Sequence, residues 1–396
     1  MKTAGVKNRI IPAVFAFLCL LTACAAPQTP APAPEAPPVQ EAPTPEEEPL
    51  PPTEEASDEE TPADRAKSLC AAMTAEEKVG QMFLVHWPGD NAAELAQRYH
   101  LGGYLLFADY FEPRPPEQVA QELAACQQAQ QIPMLMAVDE EGGAVTRISC
   151  WPRYRQRPFA SAQWLYANGG AERVAQDAKE KCELLRSLGI NLNLAPVCDI
   201  SQDPNDYIYY RTLGRDHRET RGYVATVVAA MKGSGVGCTL KHFPGYGGNA
   251  DTHTGMAVDD RPYEQFDLYD FSPFAGGIRA GAGSVMVSHN IINCMDPNNP
   301  ASLSPGVHNV LRGNLAFDGV IITDDLTMEG IRQFAGEQEA AVLAVQAGND
   351  LLCCSDFETQ IPAVLEALEQ GQIDMETVDA AVERILRWKI ELGLME

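Results

Sequence analysis

Eight short apolar runs, most of them separated by longer stretches with helical periodicity, constrain this chain more than any other feature of its sequence. In chain order they cover residues 79–85, 103–107, 133–138, 190–197, 238–240, 284–287, 319–322 and 350–353. Strands that alternate with helices are typical of parallel sheets with crossover helices. The pattern therefore predicts an α/β fold built around eight parallel strands.

The stretches between and after these runs predict helices. Thr74-Ala75-Glu76-Glu77 is a capping box, so a helix is expected to begin there. Further helices are expected over residues 117–130, 171–188, 220–232, 274–280, 305–311, 338–346, 360–369 and 374–392. A domain over residues 65–396 has the length typical of a barrel of strands and helices.

Polar and ionisable side chains follow five of the eight apolar runs. The residues at these ends are Asp139-Glu140-Glu141, Cys198-Asp199, Lys241-His242, Ser288-His289-Asn290 and Thr323-Asp324-Asp325. An α/β barrel builds its active face from groups at the carboxyl ends of many different strands. A closed (β/α)8 barrel is therefore predicted, and a doubly wound open sheet is the alternative.

The loop after the fifth run combines ionisable side chains with glycines, in the sequence KHFPGYGGNADTH over residues 241–253. Its proline and glycines prevent a regular helix or strand and let the backbone approach a ligand closely. The Asp251 carboxylate is close enough along the chain to orient the imidazole of His253, which makes that ring a better proton carrier near neutral pH. An ordinary hydrogen bond within a loop is the alternative interpretation.

Residues 1–24 have the features of an export signal, with a basic start, an apolar core and Leu21-Thr22-Ala23-Cys24 at the end. The apolar core is too short to be a comfortable membrane span. The last four residues resemble a bacterial lipoprotein box, which implies cleavage before Cys24 and a lipid on its sulfur. The expected location is the outer face of the bacterial cell membrane, and an ordinary secretory peptide is the alternative.

Residues 25–64 are rich in Pro, Ala, Glu and Thr and contain no aromatic residue, lysine or arginine. Such a segment cannot bury a core and is expected to be a disordered linker. In an extended polyproline form its roughly 40 residues would reach on the order of 100 Å. The linker is therefore interpreted as a tether between a membrane anchor and a single catalytic domain over residues 65–396.

The composition excludes several classes of partner and cofactor. A formal net charge of −26 argues against nucleic acid. The cysteines after residue 65 are irregularly spaced without a Cys-x-x-Cys pair, so they are expected to be buried free thiols. The glycines of Glu141-Gly142-Gly143-Ala144 lack the spacing of a nucleotide-binding loop. No cofactor is expected.

A metal site is a further alternative, since histidines and carboxylates follow several strands. Its ligands would be Asp139, His242, His253 and Asp324, but the charge of Lys241 beside them would repel a cation. No metal is therefore expected. The same residue types suit a neutral, polyhydroxylated substrate, because glycoside hydrolysis needs one carboxylate to attack the anomeric carbon and one group to protonate the leaving oxygen.

Four segments extend this interpretation to a family. They are MTAEEKVGQM at 73–82, AVDEEGG at 137–143, KHFPG at 241–245 and ITDDLTMEG at 322–330, in an order that spans nearly all of residues 65–396. Together they resemble glycoside hydrolase family 3, and more narrowly its NagZ-type β-N-acetylglucosaminidases. The resemblance implies a TIM-like (β/α)8 barrel, retaining hydrolysis through a glycosyl–enzyme ester, and no metal.

The resemblance also implies roles for particular residues. Asp324 would be the nucleophile, His253 the general acid/base and Asp251 its orienting partner. The sugar-binding set would be Asp139, Arg147, Arg211, Lys241 and His242, with Met328 near the acetamide pocket. The chain departs from the family pattern at Tyr246 and Ala144, and its loop from Lys241 to Asp251 is one residue shorter than usual.

These observations predict an exo-β-N-acetylglucosaminidase that releases terminal N-acetylglucosamine. One alternative is a β-glucosidase or another exo-glycosidase of the family, although such members commonly take their acid from a second domain after the barrel. Another is a lipid-anchored sugar-binding protein without catalysis. Phosphorolysis in place of hydrolysis stays open, as does the aglycone, which a muropeptide, a chitin oligosaccharide or a host glycan would supply equally well. A monomer is expected.

Overall fold

The computed structural model of the chain describes residues 60–251, 255–354 and 356–395. The predicted signal peptide with Cys24, and the predicted linker as far as residue 59, lie outside the described residues. Within the described ranges, no helix combines the length and the apolar character needed to cross a membrane.

The main sheet has eight parallel strands. Its members, in spatial order, are β10 (Leu352–Cys354), β1 (Phe83–His86), β2 (Gly103–Leu106), β3 (Leu135–Val138), β4 (Leu192–Asn193), β5 (Gly237–Phe243), β7 (Ser284–Val287) and β9 (Val320–Thr323). A parallel bridge between Ile322 and Leu351 joins the two edges, so the sheet closes into a barrel. The predicted TIM-like barrel is thereby confirmed, and the open-sheet alternative is wrong.

A second, small sheet pairs β6 (Val258–Asp259) with β8 (Ile291–Ile292). The helices around the barrel are α1 (Pro62–Ala71), α2 (Ala75–Gln81), α3 (Ala92–Tyr99), α4 (Ala108–Phe111), α5 (Pro116–Gln128), α6 (Ala162–Ala167), α7 (Gly170–Ser187), α8 (His217–Met231), α9 (Tyr263–Gln265), α10 (Phe271–Ala280), α11 (Pro305–Asn309), α12 (Glu329–Phe334), α13 (Glu337–Ala347), α14 (Phe357–Glu369) and α15 (Met375–Glu391). Short 3-10 segments lie at Tyr209–Arg211 and Ala301–Leu303, and π-helical segments at Phe266–Asp270 and Val310–Asn314.

Helix α2 begins as its sequence predicts. The Glu77 backbone N–H donates to Thr74 Oγ1 at 3.3 Å, and the Thr74 N–H donates to Glu77 Oε2 at 2.8 Å. Helix α1 was not predicted. It is capped by Thr61, starts with a proline in its first turn, and begins three residues before the predicted domain start at residue 65.

Strand β5 is longer than predicted, and the added residues belong to the site. The apolar run ends at residue 240, but the strand continues to Phe243, so Lys241 and His242 belong to the strand and not to the loop after it. Pairing with β7 shifts register between Leu240 and Phe243. Such an irregularity re-aims side chains, and here two consecutive polar residues are both buried at the barrel mouth.

The core also contains a buried lysine, Lys389, whose hydrogen-bond partner is the side-chain amide of Gln81 and not a carboxylate. Lys389 of α15 is fully buried, and its Nζ donates to Gln81 Oε1 at 2.7 Å. Burial lowers the pKa of Lys389 from its ordinary 10.5 to about 7. The lysine therefore sheds its proton more easily in the folded protein than in the unfolded chain.

Replacement of Lys389 by methionine is expected to change how stability depends on pH. Between pH 7 and 10 the unfolded wild-type chain binds more protons than the folded one, so its free energy of unfolding rises with pH. The variant lacks this rise and is expected to be more stable than the wild type at pH 7. Denaturant unfolding at pH 7, 8 and 9 measures both effects. The exposed Lys67→Met serves as control, and equal slopes in wild type and Lys389→Met would contradict the assignment.

Candidate active site

The carboxyl ends of the barrel strands bring the predicted polar residues to one face. Asp139 follows β3, Lys241 and His242 lie in β5, and Asp324 follows β9. The buried thiol of Cys353 at the end of β10 shows this convergence. Burial raises its pKa well above the ordinary value, and the charges of nearby Asp325, Asp324 and Asp139 raise it further. The mouth of the barrel is therefore lined with carboxylates from several strands.

Lys241 is the centre of the cluster. Its side chain is 2% exposed, and its Nζ lies 2.6 Å from Asp139 Oδ1 and 2.7 Å from Glu141 Oε1. Glu141 also accepts two hydrogen bonds from Arg211, at 3.1 Å from Nε and 2.7 Å from Nη2. Burial alone would raise the pKa of Glu141, but the charges of Lys241 and Arg211 hold it well below its ordinary value. Glu141 thus fixes both cations in place.

His242 is oriented by Asp199. The ring Nδ1 lies 2.7 Å from Asp199 Oδ2, and the His242 backbone N–H donates to the same oxygen at 3.1 Å. The other Asp199 oxygen accepts the Tyr246 backbone N–H at 2.7 Å. Since His242 Nε2 faces the Arg211 Nη2 donor at 3.2 Å, Nε2 accepts and Nδ1 carries the proton.

Arg147 reaches the cluster from the loop after β3. Its Nη2 lies 3.8 Å from Asp139 Oδ2, and its guanidinium carbon lies 5.4 Å from the centroid of the Phe107 ring. Buried Glu140 holds this loop, because its Oε2 accepts the backbone N–H groups of Arg147 and Ile148 at 2.9 and 2.8 Å. The structure therefore assigns Glu140 to shaping the loop and Arg147 to the edge of the pocket.

The two consecutive aspartates after β9 have different surroundings. Asp325 Oδ2 lies 2.8 Å from His86 Nε2, and Asp325 Oδ1 accepts the Thr327 hydroxyl at 2.7 Å. Burial alone would raise the pKa of Asp325, but the bonds to His86 and Thr327 lower it. Asp324 Oδ1 accepts the Asp325 backbone N–H at 2.9 Å, and the Asp324 N–H donates to the carbonyl of Val287 at 3.0 Å. Asp325 thus positions the segment that carries Asp324.

Two further residues contact the segment that carries Asp324 and Asp325. Buried His289 lies 2.8 Å, at Nε2, from the Asp325 carbonyl oxygen and 2.7 Å, at Nδ1, from Ser302 Oγ. Met328 is the N-cap of α12 and is buried beside the aspartates, with its backbone N–H donating to the Asp325 carbonyl at 3.0 Å. His289 therefore supports the backbone of this segment, and Met328 lies close to the two aspartates along the same segment.

The loop after β5 is described up to Asp251, while His253 lies outside the described residues. Asp251 and Arg211 both lie near Tyr207: burial raises the pKa of Tyr207, the Arg211 charge lowers it and the Asp251 charge raises it. Gly247 adopts φ +58°, and a Cβ there would lie 2.7 Å from the Arg261 guanidinium carbon, so only glycine fits. The start of the loop is thus packed against Arg261 and against the cluster.

Arg261 holds the start of this loop in place. Its Nη2 donates to the Gly245 carbonyl at 2.9 Å, and its guanidinium pairs with Asp259 at 2.8 Å and Asp270 at 3.1 Å. Asn249 Nδ2 also donates to Asp259 Oδ2 at 2.7 Å. Burial raises the pKa of Asp270 to about 6, although the charge of Arg261 lowers it.

Several of these residues were not assigned a role from the sequence. Glu141 and Asp199 follow strands that the apolar runs predict, but their partners lie 70 and 43 residues away along the chain. His86 ends β1, one residue beyond the predicted run, so the same strand-end rule would have found it. Among the residues that the structure describes, no group of three or more His, Cys, Asp or Glu is arranged to hold a metal ion.

Comparisons with known proteins agree with this fold. The family model "Glycosyl hydrolase family 3 N terminal domain" matches residues 74–388. Beta-hexosaminidase LpqI of Mycobacterium tuberculosis is 30% identical over 332 residues, which cover 81% of this chain and 84% of the relative. A beta-hexosaminidase of Xylella fastidiosa is 32% identical over 276 residues, or 68% of this chain and 78% of the relative.

Solved structures give the same result. A glycoside hydrolase family 3 beta-N-acetylglucosaminidase from Paenibacillus sp. has a TM-score of 0.76 and 33% identity, covering 82% of this chain. This chain spans only 63% of that longer protein. The structure of Mycobacterium tuberculosis LpqI has a TM-score of 0.74 and 28% identity, with 82% of this chain and 95% of that chain covered.

Proposed function

Since the chain belongs to glycosyl hydrolase family 3, we propose that it is a retaining exo-β-N-acetylglucosaminidase acting through a covalent glycosyl-aspartate. The observation that carries the proposal is the buried cluster of Asp139, Glu141, Arg211, Lys241 and His242 at the end of the barrel that also carries Asp324. Charged hydrogen-bonding groups held in a buried pocket suit the hydroxyls of a terminal sugar.

Each member of the cluster has a part in sugar binding. An ammonium group has three N–H donors, and Lys241 directs two of them at Asp139 and Glu141. The third is available for a sugar hydroxyl in this proposal. Asp139 accepts from hydroxyls, while His242 and Arg211 add a ring and a guanidinium whose orientations Asp199 and Glu141 already fix. Pre-oriented groups lose little entropy on binding, which favours affinity.

The reaction then takes two steps. In the first, Asp324 forms a bond to the anomeric carbon while the bond from that carbon to the leaving oxygen breaks, and His253 gives its proton to that oxygen. In the second, His253 takes a proton from water, whose oxygen attacks the anomeric carbon and releases Asp324. Asp251 orients His253 in both steps. Charge that develops on the sugar ring is stabilised by the nearby carboxylate.

Two measurements test this function. The enzyme is expected to turn over an aryl β-N-acetylglucosaminide faster than the matching aryl β-glucoside, because Met328 and its neighbours shape an acetamide pocket. Faster turnover of the glucoside would favour the alternative β-glucosidase. Incubation with a 2-acetamido-5-fluoro glycosyl donor, followed by peptide mass spectrometry, is expected to label Asp324. A label on any other residue, or no label, would refute the mechanism.

We also propose that the enzyme is exported and lipid-anchored through Cys24, and that it acts as a monomer on cell-wall fragments. The support is the signal-like sequence at residues 1–24 and the acidic, proline-rich segment after it. Cys24→Ala is expected to move the protein from the membrane fraction to the medium and to abolish incorporation of labelled fatty acid. Membrane retention of this variant would contradict the anchor.

A further inference from the structure

Three large aromatic side chains lie exposed beside the proposed active site. Trp164 of α6 is 51% exposed, Tyr210 is 62% exposed and Tyr207 is 39% exposed. Single exposed apolar side chains are ordinary, but several together beside a pocket mark a binding surface. We propose that Trp164, Tyr207 and Tyr210, which together form the aromatic platform, bind the sugar residues on the leaving side of the scissile bond. This inference rests on the proposed function and specifies the substrate as an extended glycan.

The aromatic platform is continuous with the sugar-binding cluster. Tyr210 directly precedes Arg211, which pairs with Glu141. A ladder of rings also leads outward from the pocket: the centroid of His242 lies 5.8 Å from that of Tyr246, which lies 5.8 Å from that of Tyr207. A ligand held by the cluster is therefore within reach of the platform.

The proposed role of the loop after β5 indicates which part of the substrate meets the platform. In the proposed mechanism the loop that carries Asp251 and His253 protonates the leaving oxygen, so the aglycone begins beside this loop. Asp251 lies near Tyr207: burial raises the pKa of Tyr207, and the Asp251 charge also raises it. The first aglycone residue would then lie beside Tyr207, and Trp164 and Tyr210 would bind the residues that follow it.

The platform is held rigidly although its rings are exposed. Gln163 Nε2 donates to the Tyr209 carbonyl at 2.8 Å, which ties α6 to the tyrosine segment. Ile208 is fully buried beneath that segment, and the rings of Tyr209 and Tyr210 meet edge to face at 5.2 Å. Rigid aromatic side chains bind with a small loss of conformational entropy.

The chemistry of the platform fits a pyranose chain. The flat faces of a β-linked sugar carry C–H groups, which pack against aromatic rings. The hydroxyls at the edges of the sugar form hydrogen bonds with solvent and with tyrosine hydroxyls. A second protein molecule would also cover aromatic rings. The glycan is favoured because the platform continues from a pocket that already holds sugar-binding groups.

The test compares substrates of different length in Trp164→Ala and Tyr210→Ala. For chitotriose and chitotetraose, each substitution is expected to lower kcat/KM about tenfold, mainly by raising KM. For the methyl β-N-acetylglucosaminide, whose aglycone cannot reach the platform, kcat/KM is expected to stay unchanged. Met375→Ala, which removes an exposed apolar side chain far from the platform along the sequence and outside the site, is the control.

The possible results separate the platform from the proposed function. Equal losses on the methyl glycoside and on chitotetraose, or no loss on either, would overturn the platform while leaving the hydrolase intact. If the wild type hydrolyses no N-acetylglucosaminide, the proposed function fails, and titration of chitotetraose into Asp324→Asn protein then tests the platform by binding alone. Unchanged affinity after Trp164→Ala in that background would overturn it. Light scattering that shows a dimer lost in Tyr210→Ala would also overturn it in favour of a self-interface.

Discussion

Replacement of Asp324 by asparagine is expected to lower kcat on an aryl β-N-acetylglucosaminide by about 10⁴-fold or more, the scale seen when a nucleophile is removed. An amide cannot form the glycosyl ester, and the remaining sugar contacts do not supply a substitute. Asp324 Oδ1 accepts the Asp325 backbone N–H at 2.9 Å, and the side-chain oxygen of an asparagine can keep that bond, so the variant is expected to fold. Steady-state kinetics and the melting temperature of the variant together distinguish lost chemistry from lost folding.

Asp325→Asn is the matched control for Asp324. Its carboxylate positions the segment through His86 and Thr327, so the loss is expected to be partial. Asp324→Gly adds a chemical control, because azide can fill the space that the carboxylate leaves and displace the leaving oxygen from the opposite face of the anomeric carbon, giving an α-glycosyl azide. A greater loss in Asp325→Asn than in Asp324→Asn would assign the nucleophile to Asp325 and contradict the mechanism.

Replacement of Lys241 by methionine is expected to lower the free energy of unfolding by about 3–5 kcal/mol at pH 7, since it removes the partner of two buried carboxylates. The negative charges of Asp139 and Glu141 would then lack the positive charge of Lys241, which pairs with both of them. Activity is expected to fall as well, because the sugar-binding group itself is lost. Urea unfolding measures the first effect, and kcat/KM measures the second.

The pH dependence gives this prediction a second readout. In the wild type the pKa of Glu141 is held below its ordinary value, so its stabilising contribution is present above the unfolded pKa and is lost only in strong acid. In Lys241→Met the folded pKa of Glu141 rises because the lowering effect of the Lys241 charge is lost, and protonation of Glu141 then relieves the unpaired charge. The stability difference from the wild type should therefore narrow as the pH falls below about 5. Lys179→Met, at an exposed lysine, controls for charge alone; a constant difference across pH would contradict the pairing.

Local patterns were sufficient to predict the barrel. Apolar runs marked its eight strands, and the capping box at Thr74 marked the start of α2 to the residue. Helix α1 was not predicted because the acidic and polar residues around it resemble a continuation of the linker. In the structure, Ala66 and Cys70 of this helix are buried. A short apolar pair at helical spacing is a weak signal beside many prolines and glutamates.

The partners within the site could not be read from local sequence. His86 meets Asp325 and Lys241 meets Asp139 only after the barrel closes, across separations that no periodicity records. The resemblance named Lys241 and His242 but not the support that Glu141 and Asp199 give them. Burial explains the difference: a charged side chain inside a barrel needs counter-charges, and only the packed structure shows which carboxylates supply them.

The arrangement around Glu141 has an electrostatic consequence for selectivity. Within the inner cluster, the formal negative charges of Asp139 and Glu141 balance the formal positive charges of Lys241 and Arg211. These four groups together add no net charge, so the inner cluster itself gives an uncharged sugar no long-range attraction. Recognition is then governed by short-range hydrogen-bond geometry, and the affinity for a glycan should change little with ionic strength.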